Sequence, residues 1–205
     1  MRRRRAETPE APWALLSYLL RYPDEHVVTA REDVASLAPG PVREALERFV
    51  AEWRPPYAEH YVETFDLRRR ASLNLTYYAH GDTRERGMAL VRLKKLYRTA
   101  GLPMESDELP DHLAVMLAFA ALAPEGRGAA LLAEHRPAIE LLRLSLHDLE
   151  SPYAHVLDAI VACLPALTVT ERSEVARLAR EGPPEEAVGL EPYGPPEAMP
   201  EGAHA

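Results

Sequence analysis

Six ionisable side chains in two short segments of the chain have the types that carry chemistry in proteins. They are His60, Asp66, His80, Asp82, Asp111 and His112. Histidine and aspartate together bind divalent metals, and helical phosphohydrolases use such ligands. A metal-dependent phosphohydrolase is therefore one function to weigh.

The spacing of these residues argues against a metal centre. Neighbouring side chains on a helix point about 100° apart, so Asp111 and His112 do not converge on one ion. His80 and Asp82 flank Gly81, where a turn is expected. The sequence has no HExxH, no glycine-rich phosphate loop and no serine or cysteine in a nucleophile context. The phosphohydrolase is the less favoured alternative.

A purely structural role explains each residue separately. Asp82 is predicted to cap a helix, with Glu85 reaching back as in a capping box. Asp111 is expected in the first turn of another helix, where the helix dipole favours a carboxylate. His80 and His112 fit as hydrogen-bonded structural histidines. What this interpretation leaves unexplained is why so many charged and aromatic residues crowd into Tyr61–Gly87.

The elements that position these residues are predicted to be helices. Apolar residues recur at helical spacing and no segment has the pattern of a strand, so the fold class is all-α. Eight to ten helices are expected in one compact domain. Helix starts are predicted near Trp13, Asp24, Pro41, Pro56, Asp82, Pro110, Pro137, Pro152 and Glu171.

Length and composition predict the organisation and the compartment. A chain of 205 residues fits one domain, here residues 13–181, after a flexible basic N-terminus at 1–12. Residues 182–205 are rich in proline and glutamate and are predicted to be disordered. The net charge of −8 disfavours nucleic acid, and no apolar run is long enough to insert into a membrane. We therefore expect a cytoplasmic protein whose lone Cys163 is buried and inert.

Several motifs together resemble the NarJ-type delta subunits of respiratory nitrate reductase. These belong to a wider group of redox-enzyme maturation chaperones that includes the TorD and DmsD types. The similarity extends over about residues 15–164. Its motifs are LLSYLLRYPDE (15–25), YVETFD (61–66), HGDTRERG (80–87), ELPDHL (108–113) and SPYAHVLDAI (151–160). Their order and spacing make the resemblance specific.

The resemblance implies a dedicated chaperone that is not an enzyme. It would bind the immature catalytic subunit of nitrate reductase through that subunit's N-terminal segment. It would support insertion of the molybdenum cofactor without binding a cofactor or metal of its own, with molybdenum cofactor biosynthesis proteins as further partners. A chaperone of a related molybdoenzyme, of the selenate, chlorate or ethylbenzene type, is the alternative.

The resemblance also implies where the client peptide would bind. A groove is expected between the Tyr61–Asp66 helix and the helix that starts at Pro110. Aromatic and apolar side chains would line it, and the carboxylates would meet basic groups of the peptide. The Arg68–Arg70 run is expected to flank the groove as a solvated edge, with contact to the phosphate of the cofactor as the alternative. The candidate client-binding residues are Tyr61, Phe65, Asp66, Tyr77, Tyr78, His80, Asp82, Arg86, Asp111, His112 and Met116.

Overall fold

A computed structural model of the chain describes residues 11–104 and 107–182. Within these ranges it contains helices and no strand; a single antiparallel bridge joins Asn74 and His112. A π-helical segment (Val62–Asp66) and two 3₁₀ turns (Arg69–Ala71 and Pro124–Gly126) complete the fold. The α-helices are α1 (Trp13–Leu19), α2 (Glu25–Ser36), α3 (Gly40–Glu52), α4 (Tyr57–Tyr61), α5 (Leu75–His80), α6 (Arg84–Thr99), α7 (Leu113–Leu122), α8 (Arg127–Glu134), α9 (Arg136–Asp148), α10 (Tyr153–Ala162) and α11 (Val169–Glu181).

The all-α prediction is confirmed for the described ranges. Asp24 caps α2 by accepting the Val27 amide hydrogen at 2.8 Å, as predicted. Gly101 follows α6 in the left-handed region, with φ of +80°, as expected for a helix-ending glycine. The predictions for the basic N-terminus (1–12) and the tail (182–205) fall almost entirely outside the described residues.

Two helices of the described ranges were not predicted, which brings their number to eleven. The α5 helix is six residues long, too short for its periodicity to be recognised. The α8 helix follows Gly126 and contains Gly128, and two glycines so close together indicate a turn. Gly128 instead allows α8 to cross α7 closely, because a Cβ there would collide with the backbone of Ala120.

The core is built around a cluster of aromatic side chains. Tyr153 of α10 is fully buried, and its ring centroid lies 5.2 Å from Phe49 and 4.9 Å from Phe65. These contacts join α3 and α10 to the π-helical segment. Helix α1 packs against α7, and the Ser17 hydroxyl donates to the Ala114 carbonyl at 2.7 Å. The π-helical segment, α1 and α7 are thus held side by side.

In the part of the chain that the structure describes, no helix is both long enough and apolar enough to cross a membrane. Cys163 is half-buried, and burial raises the pKa of its thiol.

Candidate functional site

Asp111 connects the motif ELPDHL to the start of α5. Its carboxylate is completely buried and accepts hydrogen bonds from the Asn74 amide at 3.0 Å and the Thr76 hydroxyl at 2.5 Å. The Thr76 backbone amide donates to it at 3.3 Å. Arg86 of α6 lies 3.7 Å from the same carboxylate. We call Asn74, Thr76, Arg86 and Asp111 the Asp111 cluster; a buried carboxylate with this many donors is well satisfied.

Arg86 extends this cluster to the motif HGDTRERG. One of its terminal nitrogens donates to Asp82 at 3.0 Å, and its guanidinium lies 5.8 Å from the centroid of the Tyr77 ring. Asp82 does not cap α6, so that prediction was wrong. The N-cap residue of α6 is Thr83, one position later, and the Asp82 side chain turns towards Arg86 instead.

Gly81 makes the turn between α5 and α6 possible. Its φ of +60° and ψ of −153° define a conformation that is essentially restricted to glycine. The turn places Arg86, with Asp82 paired to it, beside Asp111, which precedes α7 by two residues. The Tyr97 hydroxyl of α6 donates to the Pro110 carbonyl at 2.6 Å, which fixes the other side of this junction. The motifs HGDTRERG and ELPDHL therefore form one structural unit.

The motif YVETFD forms the end of α4 and the π-helical segment. The Leu67 amide donates to the Val62 carbonyl at 3.1 Å, five residues back, as in a π-helix. Such segments are rare and are often found at functional sites. Tyr61 and Phe65 are each only 6% exposed, with their ring centroids 4.9 Å apart. The Tyr61 hydroxyl donates to the Leu20 carbonyl at 3.2 Å, which ties the segment to the end of α1.

A groove of about 760 Å³ lies between α1, the π-helical segment and α7. We call it the α1–α7 groove. Its position agrees with the sequence prediction of a groove between the Tyr61–Asp66 helix and the helix after Pro110. It is lined by Ser17, Arg21, Tyr22, Tyr61, Phe65, Asp66, Leu73, Asn74, Glu108, His112, Ala114, Val115 and Ala118. This volume falls within the range of small-ligand and peptide-anchor pockets.

The carboxylates of Asp66 and Glu108 both affect the pKa values of two groove residues, Tyr61 and His112. Burial, together with the charges of Asp66 and Glu108, raises the pKa of Tyr61, so its hydroxyl stays protonated. Burial lowers the pKa of His112 below its ordinary 6.5, although Glu108, Asp111 and Asp66 oppose the shift. The groove thus combines an aromatic floor with two carboxylates, and Arg21 lies on the α1 side.

His112 joins the groove to the Asp111 cluster. It caps α7 by accepting the Ala114 amide hydrogen on Nδ1 at 3.3 Å, and it is 9% exposed. Because Nδ1 accepts this bond, the ring must be unprotonated there. Both the lowered pKa and the hydrogen bond that Nδ1 accepts therefore indicate that the His112 side chain is uncharged at pH 7.

The eleven predicted site residues divide into three groups. Tyr61, Phe65, Asp66 and His112 line the α1–α7 groove. A neighbouring pocket of about 320 Å³, which shares Phe65, Asp66 and Asn74 with the groove, is lined by Tyr77, Asp82 and Arg86 as well. The remaining four residues line neither pocket: Met116 and Asp111 are fully buried, the Tyr78 hydroxyl donates to the backbone carbonyls of Arg70 and Ser72, and His80 borders a separate cavity of about 380 Å³.

His60, a candidate for chemistry, has a structural position. Its Nε2 is 3.1 Å from the Ser151 hydroxyl, and its ring stacks on Tyr153 with centroids 5.8 Å apart. Burial lowers the pKa of His60 despite the opposing charge of Glu63. Among the described residues, no three His, Cys, Asp or Glu side chains come together in a group that could hold a metal ion.

The sequence did not identify the α1 side of the groove. Tyr22 is 54% exposed and its ring centroid lies 5.6 Å from that of Tyr61, so it forms an accessible aromatic wall. The α7 wall consists of Ala114, Val115 and Ala118. Tyr22 lies in the motif LLSYLLRYPDE, so its position in the groove could have been suspected from the sequence. The small α7 residues could not have been recognised as groove residues, because alanine and valine are common in any helix.

Residues 36–159 match the family model described as nitrate reductase delta subunit. The chain belongs to this family. The resemblance found in the sequence motifs is therefore confirmed.

Relatives in this family are similar over most of the described chain. The probable nitrate reductase molybdenum cofactor assembly chaperone NarJ of Bacillus subtilis (strain 168) is 33% identical over 172 residues, which cover 80% of this chain and 94% of that protein. The nitrate reductase molybdenum cofactor assembly chaperone NarJ of Escherichia coli (strain K12) is 34% identical, covering 72% of this chain and 66% of its own length.

A longer relative contains the same region. The nitrate reductase-like protein NarX of Mycobacterium tuberculosis (strain CDC 1551 / Oshkosh) is 38% identical over 152 residues. The match covers 72% of this chain but only 23% of NarX. The two NarJ proteins carry the names of assembly chaperones and not of catalytic subunits, in agreement with the prediction of a chaperone that is not an enzyme.

Proposed function

We propose that this protein is an assembly chaperone that binds the immature catalytic subunit of a respiratory nitrate reductase in the cytoplasm. It binds the N-terminal segment of that subunit and supports insertion of the molybdenum cofactor, with cofactor biosynthesis proteins as further partners. The observation that carries the proposal is the α1–α7 groove, which lies between the family motifs and has an aromatic floor with the carboxylates of Asp66 and Glu108 among its lining residues.

The shape and charge of the groove fit an amphipathic helix. Tyr22, Tyr61 and Phe65 offer aromatic surface on one side, and the small side chains of α7 leave room on the other. An amphipathic helix places anchors at positions i, i+3 or i+4, and i+7, and binds in apolar grooves of this kind. Asp66 and Glu108 favour a peptide that also carries basic side chains.

A chaperone also has to release its client. It must bind the incomplete subunit tightly and the mature enzyme weakly, which requires a handle that is accessible only before assembly is complete. A terminal segment that later packs into the enzyme satisfies this requirement. In such a mechanism the groove binds and releases the client without catalysing a reaction.

Calorimetry with a peptide tests this proposal. A synthetic peptide of about 15 residues from the client N-terminus is long enough to form a helix on the protein. We expect it to bind with a negative heat-capacity change, because apolar surface is buried. Absence of binding heat at several temperatures would contradict the proposal.

A pair of variants locates the binding site. Ala118 is exposed and lines the groove, so Ala118→Arg should lower peptide affinity by about tenfold or more, equivalent to about 1.4 kcal/mol, without unfolding the protein. Ala129→Arg places the same side chain on an exposed position of α8 that is not part of the groove lining and should bind normally. Equal affinities of the two variants would exclude the groove.

A separate experiment identifies the client protein. A related molybdoenzyme of the selenate, chlorate or ethylbenzene type remains the second candidate, because the groove discriminates by shape and charge and not by a cofactor. Affinity purification from cells grown anaerobically on nitrate should recover the nitrate reductase catalytic subunit. Recovery of a different molybdoenzyme subunit would assign the chaperone to that enzyme.

A further inference from the structure

Helix α6 is strongly basic, although the chain as a whole is acidic. Of its 16 residues, six are arginine or lysine and one, Glu85, is acidic. The whole chain has 24 arginines and lysines against 32 aspartates and glutamates. Helix α11, which is 13 residues long, has three arginines and three glutamates and so carries no excess charge. The positive charge of α6 is therefore a local feature of this helix.

Five exposed residues of α6 form one continuous stripe along the helix. They follow one another at spacings of four, three, four and three residues, which places them on the same side of an α-helix. They are Arg84, Met88, Val91, Lys95 and Arg98, and the exposed Lys94 adjoins them. We call these six residues the α6 stripe.

The opposite side of α6 fixes the helix on the domain. Ala89, Leu93 and Tyr97 are buried there. Arg86 lies on the same inward side and approaches Asp111 to 3.7 Å. The helix axis, and with it the α6 stripe, therefore has a fixed orientation, and the stripe points away from the Asp111 cluster.

Two apolar side chains are exposed in the middle of the stripe. Met88 is 58% exposed and Val91 is 61% exposed, with cations on both sides of them along the helix. Lys94, Lys95 and Arg98 make no ion pair with a side chain of residues 11–104 or 107–182. The stripe thus combines positive charge with accessible apolar surface.

This combination fits the surface of an anionic membrane. Groups of about 4–8 lysines and arginines on a helix bind anionic headgroups, and apolar side chains beside them enter the boundary between headgroups and acyl chains. A fluid lipid surface does not require the cationic side chains to hold fixed positions. The orientation of the helix, which the domain fixes, is sufficient.

Other partners fit the stripe less well. A nucleic acid would leave Met88 and Val91 without a partner, and the stripe has no aromatic side chain on which a base could stack. A folded protein partner requires complementary shape. The stripe is the convex side of a helix, and none of its residues lines a cavity described above.

We propose that the α6 stripe is a peripheral binding surface for membranes that contain anionic lipids. Its four cations contact the headgroups, and Met88 and Val91 enter the boundary with the acyl chains. In this arrangement α6 lies parallel to the membrane plane and crosses no part of the bilayer. The stripe residues do not line the α1–α7 groove, so the inference does not rest on the proposed client peptide.

Vesicle flotation with the full-length protein tests this inference. Neutral vesicles consist of phosphatidylcholine, and in anionic vesicles about a third of the lipid is phosphatidylglycerol. We expect the protein to float with anionic vesicles at about 0.1 M salt and to dissociate at about 1 M, where the Debye length falls from about 10 Å to about 3 Å. Equal binding to neutral vesicles, or no binding to anionic vesicles at the lower salt concentration, would overturn the proposal.

A pair of charge variants assigns the contact to α6. One lysine or arginine near an anionic membrane strengthens binding by about 1 kcal/mol, or about fivefold, so Lys94→Gln combined with Lys95→Gln should weaken binding by about 25-fold. Arg172→Gln combined with Arg180→Gln is the matched control, because it changes the net charge equally at two exposed positions of α11. This control should bind like the wild type. Equal losses in the two variants would exclude α6 as the binding surface.

A third variant tests the apolar part of the contact. Met88→Gln combined with Val91→Thr leaves the charge unchanged and should weaken binding to anionic vesicles several-fold, because less apolar surface leaves water. Both positions are exposed, so folding should be retained, and circular dichroism verifies this for every variant. Unchanged binding would exclude insertion of these two side chains.

A short DNA duplex provides the competing test. Fluorescence anisotropy measures its binding at the same salt concentration as the vesicle experiment. We expect the anionic vesicles to bind more tightly than the duplex. Binding of the duplex that is lost in the Lys94 and Lys95 variant, without binding to vesicles, would assign the stripe to nucleic acid and overturn the proposal.

Discussion

The Asp111 cluster and the α1–α7 groove lie side by side and meet at Asn74 and His112, but their carboxylates have opposite surroundings. Asp111 is fully buried and is held by Asn74, Thr76 and Arg86. Asp66 is exposed at the edge of a groove, beside Tyr61 and Phe65. Both aspartates belong to motifs of the same family resemblance, so residues of these motifs can have opposite surroundings in the folded chain.

This difference bears on how the groove keeps its shape. The groove is formed by segments distant in sequence, and the client binding that we propose for it requires walls in fixed positions. The Asp111 cluster supplies part of this by joining the start of α5, α6 and the residues before α7. Mutations in the cluster should therefore affect stability, and mutations in the groove should affect binding.

The largest effect is expected for Asp111→Ala. Removal of this carboxylate leaves the donors of Asn74 and Thr76 without their acceptor in a buried site, whereas Arg86 keeps its contact with Asp82. Each buried donor left unsatisfied costs about 1–3 kcal/mol. Denaturant unfolding measures the change. Asp66→Asn is the matched control and should change the free energy of unfolding by less than about 0.5 kcal/mol. Similar losses in both variants would remove the distinction between the two regions.

A second test concerns the turn that orients Arg86. Gly81→Ala forces a side chain into a backbone conformation that alanine avoids, at a cost of about 1–3 kcal/mol. Gly87→Ala is the control, because Gly87 lies within α6 with open space around it and alanine should stabilise the helix by about 0.5–1 kcal/mol. Thermal unfolding shows whether each substitution raises or lowers the stability of the protein. A loss of stability in Gly87→Ala as large as in Gly81→Ala would contradict the role of the turn.

The pH dependence of stability tests the position of His112 between the two regions. Its pKa in the folded state is depressed below 6.5, so the unfolded state binds the proton more readily. The free energy of unfolding should therefore fall as the pH is lowered from about 6.5 to the folded pKa, and His112 should cause no change in it well above pH 6.5. His112→Asn keeps an N-cap that does not titrate and should reduce this slope. An unchanged slope would show that other groups cause it.

The smallest effect is expected for Asp82→Ala. Asp82 forms an i, i+4 ion pair with Arg86 and its side chain is 67% exposed, so the loss should be only about 0.3–0.5 kcal/mol. If Asp82 capped α6, the same substitution would lower the free energy of unfolding by about 1 kcal/mol. Unfolding and peptide binding measured on the same preparation separate stability from recognition. A loss of peptide affinity beyond the change in stability would place Asp82 in the binding surface.

Much of the fold is encoded locally and was predictable. Asp24 before α2 and Gly101 after α6 are end signals that act within a few residues, and they work as expected. The cap of α6 was mispredicted because Asp82 and Thr83 are adjacent candidates. The ion pair of Asp82 with Arg86 depends on the turn at Gly81, whose geometry the residue types do not specify.

The sequence by itself determined the all-α class, most helices of the described chain and the family, because periodicity, end signals and motif spacing are properties of the linear chain. The tertiary structure decided which motif residues are buried. Asp111 and Asp66 have the same side chain, and only packing determines that one is enclosed by Asn74, Thr76 and Arg86 while the other borders the groove. Contacts such as Asp111 with Thr76, 35 residues apart, arise from long-range packing, which local sequence patterns do not report.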